Sequence, residues 1–270
     1  MNELQKVEFD LLKNFIEVCQ KLNLNYYLVC GSALGAVKYG GFIPWDDDMD
    51  VALCRKDYEI FCENAQELLP KDVFLQTYKT DNKYPNIFAK LRNSNTTYIE
   101  KSCKNISMNQ GVYIDIFPLD GYPKNAAKQN RLERKKLFYK LEVSSVFETD
   151  CSLKVKLLRK FFRVIGVHRN TARILYKYEK MISSYSTEFS DVWCNHGNWQ
   201  GKLEYAPKEQ YGKGTVMKFE GIDVRVPEKY DEYLTQKYGD WRSDPPKEEQ
   251  IGHHYYSVMD LNTSYKEYMK

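Results

Sequence analysis

No apolar run in this sequence approaches the ~20 residues that a bilayer-spanning helix needs. The opening residues, MNELQKVEFDLL, carry Glu and Asp where a secretory leader would be basic and then apolar, so no leader is expected. Seven cysteines, an odd number at irregular spacing, make no disulfide framework, and a reduced cytoplasmic setting follows as the expectation. Histidine is scarce, four in all. Cys194-x-His196 has no second pair at metal spacing, and a structural zinc needs four ligands. Net charge is only +3, but it is unevenly spread. Residues 124–180 carry 16 Lys/Arg against 5 Asp/Glu, a net of +11, which leaves 24 against 32, a net of −8, elsewhere. No recognised nucleic-acid module accompanies the basic stretch, so nucleic acid is not an expected partner.

What is present concentrates in Tyr26 to Leu53. An apolar and aromatic run ending in Val29-Cys30 reads as a buried strand closing in a turn. Gly31-Ser32 then opens SALGAVKY, whose small residues permit a tight helix. A strand end, a glycine and a helix N-terminus offer backbone N–H groups to a phosphate. Pro44 stops any helix before an acidic run of four aspartates, Asp46, Asp47, Asp48 and Asp50. The spacing predicts a second strand from Asp48 to Leu53. Residues two apart on a strand face one side, so Asp48 and Asp50 converge while Met49 and Val51 enter the core. Adjacent carboxylates repel, and a divalent cation with a taste for hard oxygen, Mg²⁺ or Mn²⁺, removes that cost.

Other readings of the acidic run stand beside this one. It can be a solvated loop. It can be the Asp-x-Asp of a glycosyltransferase holding a sugar nucleotide through a metal. A Ca²⁺ loop is disfavoured, because the position that needs a sharp-turning Gly is Val51.

Along the chain, Leu4, Val7, Leu11, Phe15, Val18 and Leu22 give an amphipathic helix over Glu3 to Leu22. A helix from Arg55 to about Leu69 is ended by Pro70. Strands are expected over Val73 to Tyr78, Asn86 to Arg92 and Thr96 to Glu100, the last as a third strand of one meander. Lys90 and Arg92 share a face of their strand and suit a phosphate, with a solvated strand face as the alternative. Val112 to Phe117 is a clear strand with Asp115 inside it, costly there unless paired or metal-bound. Asp120, after Pro118, reads as a turn or cap. Residues 125–147, 154–163 and 171–185 read as helices. The middle one interleaves Lys154, Lys156, Arg159, Lys160 and Arg163 with Leu153, Leu157, Leu158, Phe161 and Phe162, and suits either an anionic membrane surface or a solvated helix packed on the core. A hairpin around Gly221, a helix over Lys229 to Tyr238 and an irregular tail with His253-His254 complete the chain. His254 is a candidate contact for a donor phosphate or leaving group.

GSALGAVKYGGFIPWDDDMDVAL resembles the LicD family, which includes the fukutin-related proteins. GVYIDIFPLDGY at Gly111 to Tyr122 resembles the family's second block. Phe219-Glu220-Gly221, Val226-Pro227, Tyr230-Asp231, Tyr233-Leu234, Tyr238-Gly239-Asp240-Trp241 and Pro245-Pro246 resemble its C-terminal block. The resemblance implies an α+β fold, a nucleotidyltransferase-like mixed sheet flanked by helices, here with a basic helical insertion. It divides the chain into a catalytic core at 1–123, a basic helical segment at 124–190 and a part completing the cleft at 191–270. It implies transfer of phosphocholine, or a related phospho-alditol, from CDP-choline or another CDP-linked donor to a hydroxyl of a cell-surface glycan precursor, free or lipid-linked, such as teichoic acid or lipopolysaccharide, with release of CMP. Asp48, Asp50 and Asp115 are then the catalytic and metal-binding set, with Mg²⁺ or Mn²⁺ as cofactor. Gly31, Ser32, Lys90, Arg92 and His254 are the candidate donor-phosphate contacts. With 22 Tyr and 4 Trp an aromatic cage for a quaternary ammonium is easily supplied, and Trp45, beside the aspartates, is its first candidate. The expected location is cytoplasmic, with peripheral contact at the inner face of the membrane.

Overall fold

The structure is a computed structural model that describes residues 1–147, 152–164, 166, 171–198, 200–252 and 255–269. Helix α1 (Glu3–Lys21) starts at a reciprocal cap. The Asn2 side chain accepts from the Gln5 amide at 2.9 Å, and the Gln5 side chain accepts from the Asn2 amide at 3.0 Å. Its buried stripe, Leu4, Leu11, Leu12, Phe15, Val18 and Cys19, lies on the sheet.

The sheet is mixed. Strands β1 (Tyr26–Leu28), β2 (Asp50–Cys54), β3 (Val73–Gln76), β4 (Ala89–Asn93) and β6 (Val112–Gly121) run in the spatial order β1-β2-β6-β4-β3. Among the described residues only β2 and β6 pair in parallel; their neighbours are antiparallel. The later half of β6 pairs with β7 (Val192–Asn195), which in turn pairs with β8 (Tyr205–Pro207). Helix α2 (Cys30–Lys38) and α3 (Arg55–Leu68) follow β1 and β2 directly. Leu11, Phe15, Leu28, Val51, Leu53, Phe61, Ile114 and Ile116 fill the core between helices and sheet. This is the α+β, mixed-sheet architecture expected from the sequence.

Helices α4 (Ala126–Ser144), α5 (Leu153–Val164) and α6 (Thr171–Ile182) form the basic segment. Leu132, Val143, Leu175, Tyr178 and Ile182 build a smaller cluster there with Tyr78 and Ile87. The C-terminal part adds α7 (Lys208–Tyr211), the hairpin β9 (Thr215–Phe219) and β10 (Ile222–Val226), and α8 (Tyr230–Tyr238).

Four local expectations are corrected. First, β2 starts at Asp50, so Asp48 precedes the strand. Second, β4 starts at Ala89, three residues after the predicted start. Third, β5 (Thr97–Glu100) does not extend the meander; it pairs antiparallel with β11 (Tyr256–Asp260), a strand in the tail read as irregular. Fourth, Asp120 is no turn residue. It lies fully buried inside β6 and takes both arms of Arg55, Nε to Oδ1 at 2.7 Å and Nη2 to Oδ2 at 2.8 Å. That pair ties the first turn of α3 to the centre of the sheet. Burial pushes the Asp120 carboxyl up, and the Arg55 guanidinium opposes it.

Candidate active site

A cleft of about 1330 Å³ opens where the first turn of α2, the acidic loop, β2, β4 and β6 meet. Gly31, Trp45, Asp46, Asp48, Asp50, Lys90 and Asp115 all line it. The chain reaches this arrangement through register. Asp50 and Asp115 are direct partners on the parallel strands β2 and β6, and Asp115 is also opposite Lys90 on β4. Neighbouring strands lie about 4.8 Å apart, so the three side chains form one row across the sheet.

Each member is held. The Asp50 amide donates to the Ser32 hydroxyl at 2.8 Å, and the Asp115 amide donates to the Met49 carbonyl at 2.8 Å. The Lys90 ammonium lies 3.0 Å from Asp115 Oδ1 and 3.7 Å from Glu100 Oε2, over the face of Tyr113 at 3.2 Å from the ring centre. Below the row, Gln5 from α1 donates to the carbonyl oxygens of Ile43 and Asp46 at 3.3 and 3.0 Å and fixes the acidic loop. Gly31 lets Asp46 come close: a Cβ there would sit 2.6 Å from Asp46 Oδ2, so the carboxylate would have to move.

Beside Asp48, the acidic loop adds two carboxylates that the sequence reading left out of the site, Asp46 and Asp47. Asp46, Asp47 and Asp48 each bring one oxygen within 4.8 Å of the others. Burial pushes the Asp46 carboxyl up to about 8, and Asp48 and then Asp47 add to the shift. Among the described residues Asp46, Asp47 and Asp48 are the carboxylates whose oxygens converge closely enough to share one hard divalent cation, which would relieve their repulsion; Asp50 and Asp115 line the same cleft outside that group. When bound, such an ion neutralises a diphosphate and activates an oxygen nucleophile.

Trp45 stands edge-on to Tyr39, with ring centres 6.2 Å apart, on the wall of the cleft. Tyr39 donates to Asp244 at 2.5 Å, and Lys38 pairs with the same carboxylate at 2.6 Å. The C-terminal part thus closes this side, where Tyr238, Asp240 and Trp241 also line the cleft.

Two predicted phosphate contacts, Arg92 and Ser32, do not line the cleft. Arg92 is fully buried behind Lys90, bonds to the Gln76 side chain, donates to the Gly111 carbonyl at 2.7 Å and does not line the cleft. Ser32 is buried and supports Asp50 from behind. His254 lies outside the described residues, as does His253. Glu100, which lines the cleft beside Lys90, was missed because its strand gains its partner from the far end of the chain.

The family model described as LicD/FKTN/FKRP, nucleotidyltransferase domain, matches residues 23–147, the stretch that carries α2, the acidic loop, β2, β4 and β6. The chain is 29% identical over 262 residues to the lipopolysaccharide cholinephosphotransferase LicD of Haemophilus influenzae, covering 94% of this chain and 96% of that protein. It is 30% identical over 117 residues to an uncharacterized protein of Rickettsia prowazekii, covering 43% of this chain and 40% of that one. Residues 23–147 are thus similar to that nucleotidyltransferase domain, and the whole chain is similar, end to end, to the Haemophilus influenzae protein.

Proposed function

We infer that this chain is a phosphocholine transferase that moves phosphocholine from CDP-choline, or a related CDP-linked donor, to a hydroxyl of a cell-surface glycan such as lipopolysaccharide. The observation that carries this reading is the likeness to the Haemophilus influenzae cholinephosphotransferase along 94% of the chain, with Asp50 and Asp115 in register inside the cleft. Asp46, Asp47 and Asp48 would hold Mg²⁺ or Mn²⁺, with Asp50 and Asp115 beside them in the same cleft.

This chain's residues then have the following work. In the first turn of α2 the Cys30 amide donates to the Tyr233 hydroxyl at 3.1 Å, which leaves Gly31, on the cleft wall, as the backbone N–H to meet the donor phosphate. Lys90, fixed by Asp115, Glu100 and Tyr113, supplies a cation beside the reacting phosphate. Asp115 takes the proton of the acceptor hydroxyl, whose oxygen forms the new bond to the choline-bearing phosphorus. The bond from that phosphorus to the bridging oxygen breaks, and CMP leaves with both electrons. Trp45 and Tyr39 offer faces to a quaternary ammonium.

A donor panel tests this. CMP release from CDP-choline with Mg²⁺, abolished by chelator, is the expected result. Equal turnover of UDP- or GDP-sugars would replace it with the glycosyltransferase reading. Preference for a CDP-alditol would keep the reaction and change the transferred group.

A further inference from the structure

Helix α5 is amphipathic in a way that packing on this protein does not explain. Its inward positions are Val155, Leu158, Arg159 and Phe162, at three- and four-residue spacing; Phe162 is buried and the other three are partly so. The opposite face carries a second apolar stripe, Leu153, Leu157, Phe161 and Val164, which stays 74%, 61%, 56% and 78% exposed. At about 100° per residue these four project within about 80° of one another. Exposed cations flank the stripe: Lys154 on one side, Lys156, Lys160 and Arg163 on the other. Leu137 and Phe138 on the adjoining α4 are 61% and 53% exposed, with Phe138 edge-on to Phe162 at 6.1 Å between ring centres, beside exposed Arg134 and Lys135. No anionic side chain occurs anywhere in α5.

We propose that this face of α4 and α5 seats the protein on an anionic bilayer surface, with Leu157 and Phe161 entering the headgroup boundary and the flanking lysines meeting lipid phosphates. A solvated helix has no use for four large apolar side chains in one exposed row, whereas an interfacial helix needs that row and a cationic border. Charge complementarity selects the anionic surface, since residues 124–180 hold the +11 excess derived above. Position gives the docking a purpose. Val155 and Arg159 of α5, and Leu141 and Ser144 of α4, line the cleft from the other side of the same helices. Seating the outer face brings the mouth of the cleft to the lipid plane, where a lipid-linked acceptor would present its hydroxyl. That last step rests on the transferase reading; the binding itself does not.

The test is co-sedimentation of the full chain with vesicles of equal parts phosphatidylglycerol and phosphatidylcholine, and with vesicles of phosphatidylcholine alone. Binding to the anionic vesicles only is expected. Each basic residue near such a surface contributes about a factor of five, so K156Q/K160Q should weaken binding on the order of tenfold or more. L157S/F161S should weaken it at least as much, with an unchanged circular dichroism spectrum, since both residues are exposed. Phe161→Trp should give an emission that shifts to the blue on vesicle addition and is quenched by brominated lipid. Failure of the wild-type chain to pellet, or wild-type pelleting by L157S/F161S, overturns the proposal. So does a concentration-dependent dimer in solution that L157S/F161S abolishes while vesicle binding is missing, because the face then belongs to a second copy. None of these readouts requires turnover, so they stand or fall separately from the proposed reaction.

Discussion

Asp50 and Asp115 face each other as register partners on the parallel strand pair β2 and β6, and Lys90 continues their row on the other side of Asp115. Two carboxylates and an ammonium in one line leave the row short of positive charge, and the aspartates of the acidic loop deepen the deficit. A divalent cation bound there would relieve that deficit.

Removing either carboxylate should stop chemistry without unfolding the chain. Asp50→Asn and Asp115→Asn keep volume and hydrogen-bonding capacity while deleting charge. A loss of roughly 10²–10⁴-fold in kcat is expected for Asp115→Asn if it serves as base. Isothermal titration with Mg²⁺ should show weakened binding in both. Turnover near wild type in either variant would remove that residue from the mechanism.

Gly31→Ala is the sharper probe of the α2 turn. The added methyl would sit 2.6 Å from Asp46 Oδ2, so the carboxylate must move. Asp46 lies on a loop fixed through its backbone by Gln5, and its side chain is the part able to give way. Expected is a loss of Mg²⁺ affinity and of activity on the order of tenfold or more, with a melting temperature within about 2 °C of wild type. A collapse in stability with Mg²⁺ affinity intact would mean that the turn is a packing device only.

The Arg55–Asp120 pair should dominate stability instead. Both side chains are buried, and deleting one partner strands the other, at a cost of about 3–5 kcal/mol. For a chain of this size Asp120→Ala should lower Tm by roughly 10 °C. The double variant R55M/D120L should lose less than the sum of the single losses, since no buried charge is then left alone. Additive losses in a thermal denaturation series would argue against a coupled pair.

Stability of the metal-free protein should fall as pH rises. Asp46 is held up to about 8 when folded, against about 3.9 for an ordinary Asp, so the native state binds the extra proton between those values. Mg²⁺ binds the deprotonated set, so its affinity should climb over the same window. Differential scanning fluorimetry in chelator and in Mg²⁺ should therefore diverge most near pH 8. Asp46→Asn should flatten the chelator curve; an unchanged slope in that variant would assign the pH dependence to other groups.

The sequence made the local parts of the site legible and concealed the non-local ones. Period-two apolar alternation located β2 and the first half of β6, and glycine with proline bounded α2 and the acidic loop. Partner choice was invisible. Thr97 to Glu100 reads as a strand on its own residues, but its partner, Tyr256 to Asp260, lies more than 150 positions away. Asp120 looked like a cap because Pro118 precedes it, yet β6 runs through that proline, and a guanidinium 65 positions away makes the burial tolerable. Arg92 and Lys90 share a strand face by spacing, and nothing local says that only Lys90 reaches the cleft.

That last distinction gives a prediction with different signatures at two adjacent cations. Arg92 bonds the Gln76 side chain and the Gly111 carbonyl from a position without solvent access, and each acceptor left unpaired costs about 1–3 kcal/mol. Arg92→Met should therefore depress Tm, while the fraction that remains folded keeps its KM for the donor. Lys90 sits at the cleft wall with Asp115 and Glu100. Lys90→Met should reduce kcat/KM of the folded fraction on the order of a hundredfold, the scale for losing one preorganised electrostatic contact to the reacting group, and should cost stability as well, since Lys90 is buried against Asp115. Steady-state kinetics and thermal melts on the two variants decide it. A donor KM that rises for Arg92→Met at unchanged Tm would restore Arg92 to the phosphate site.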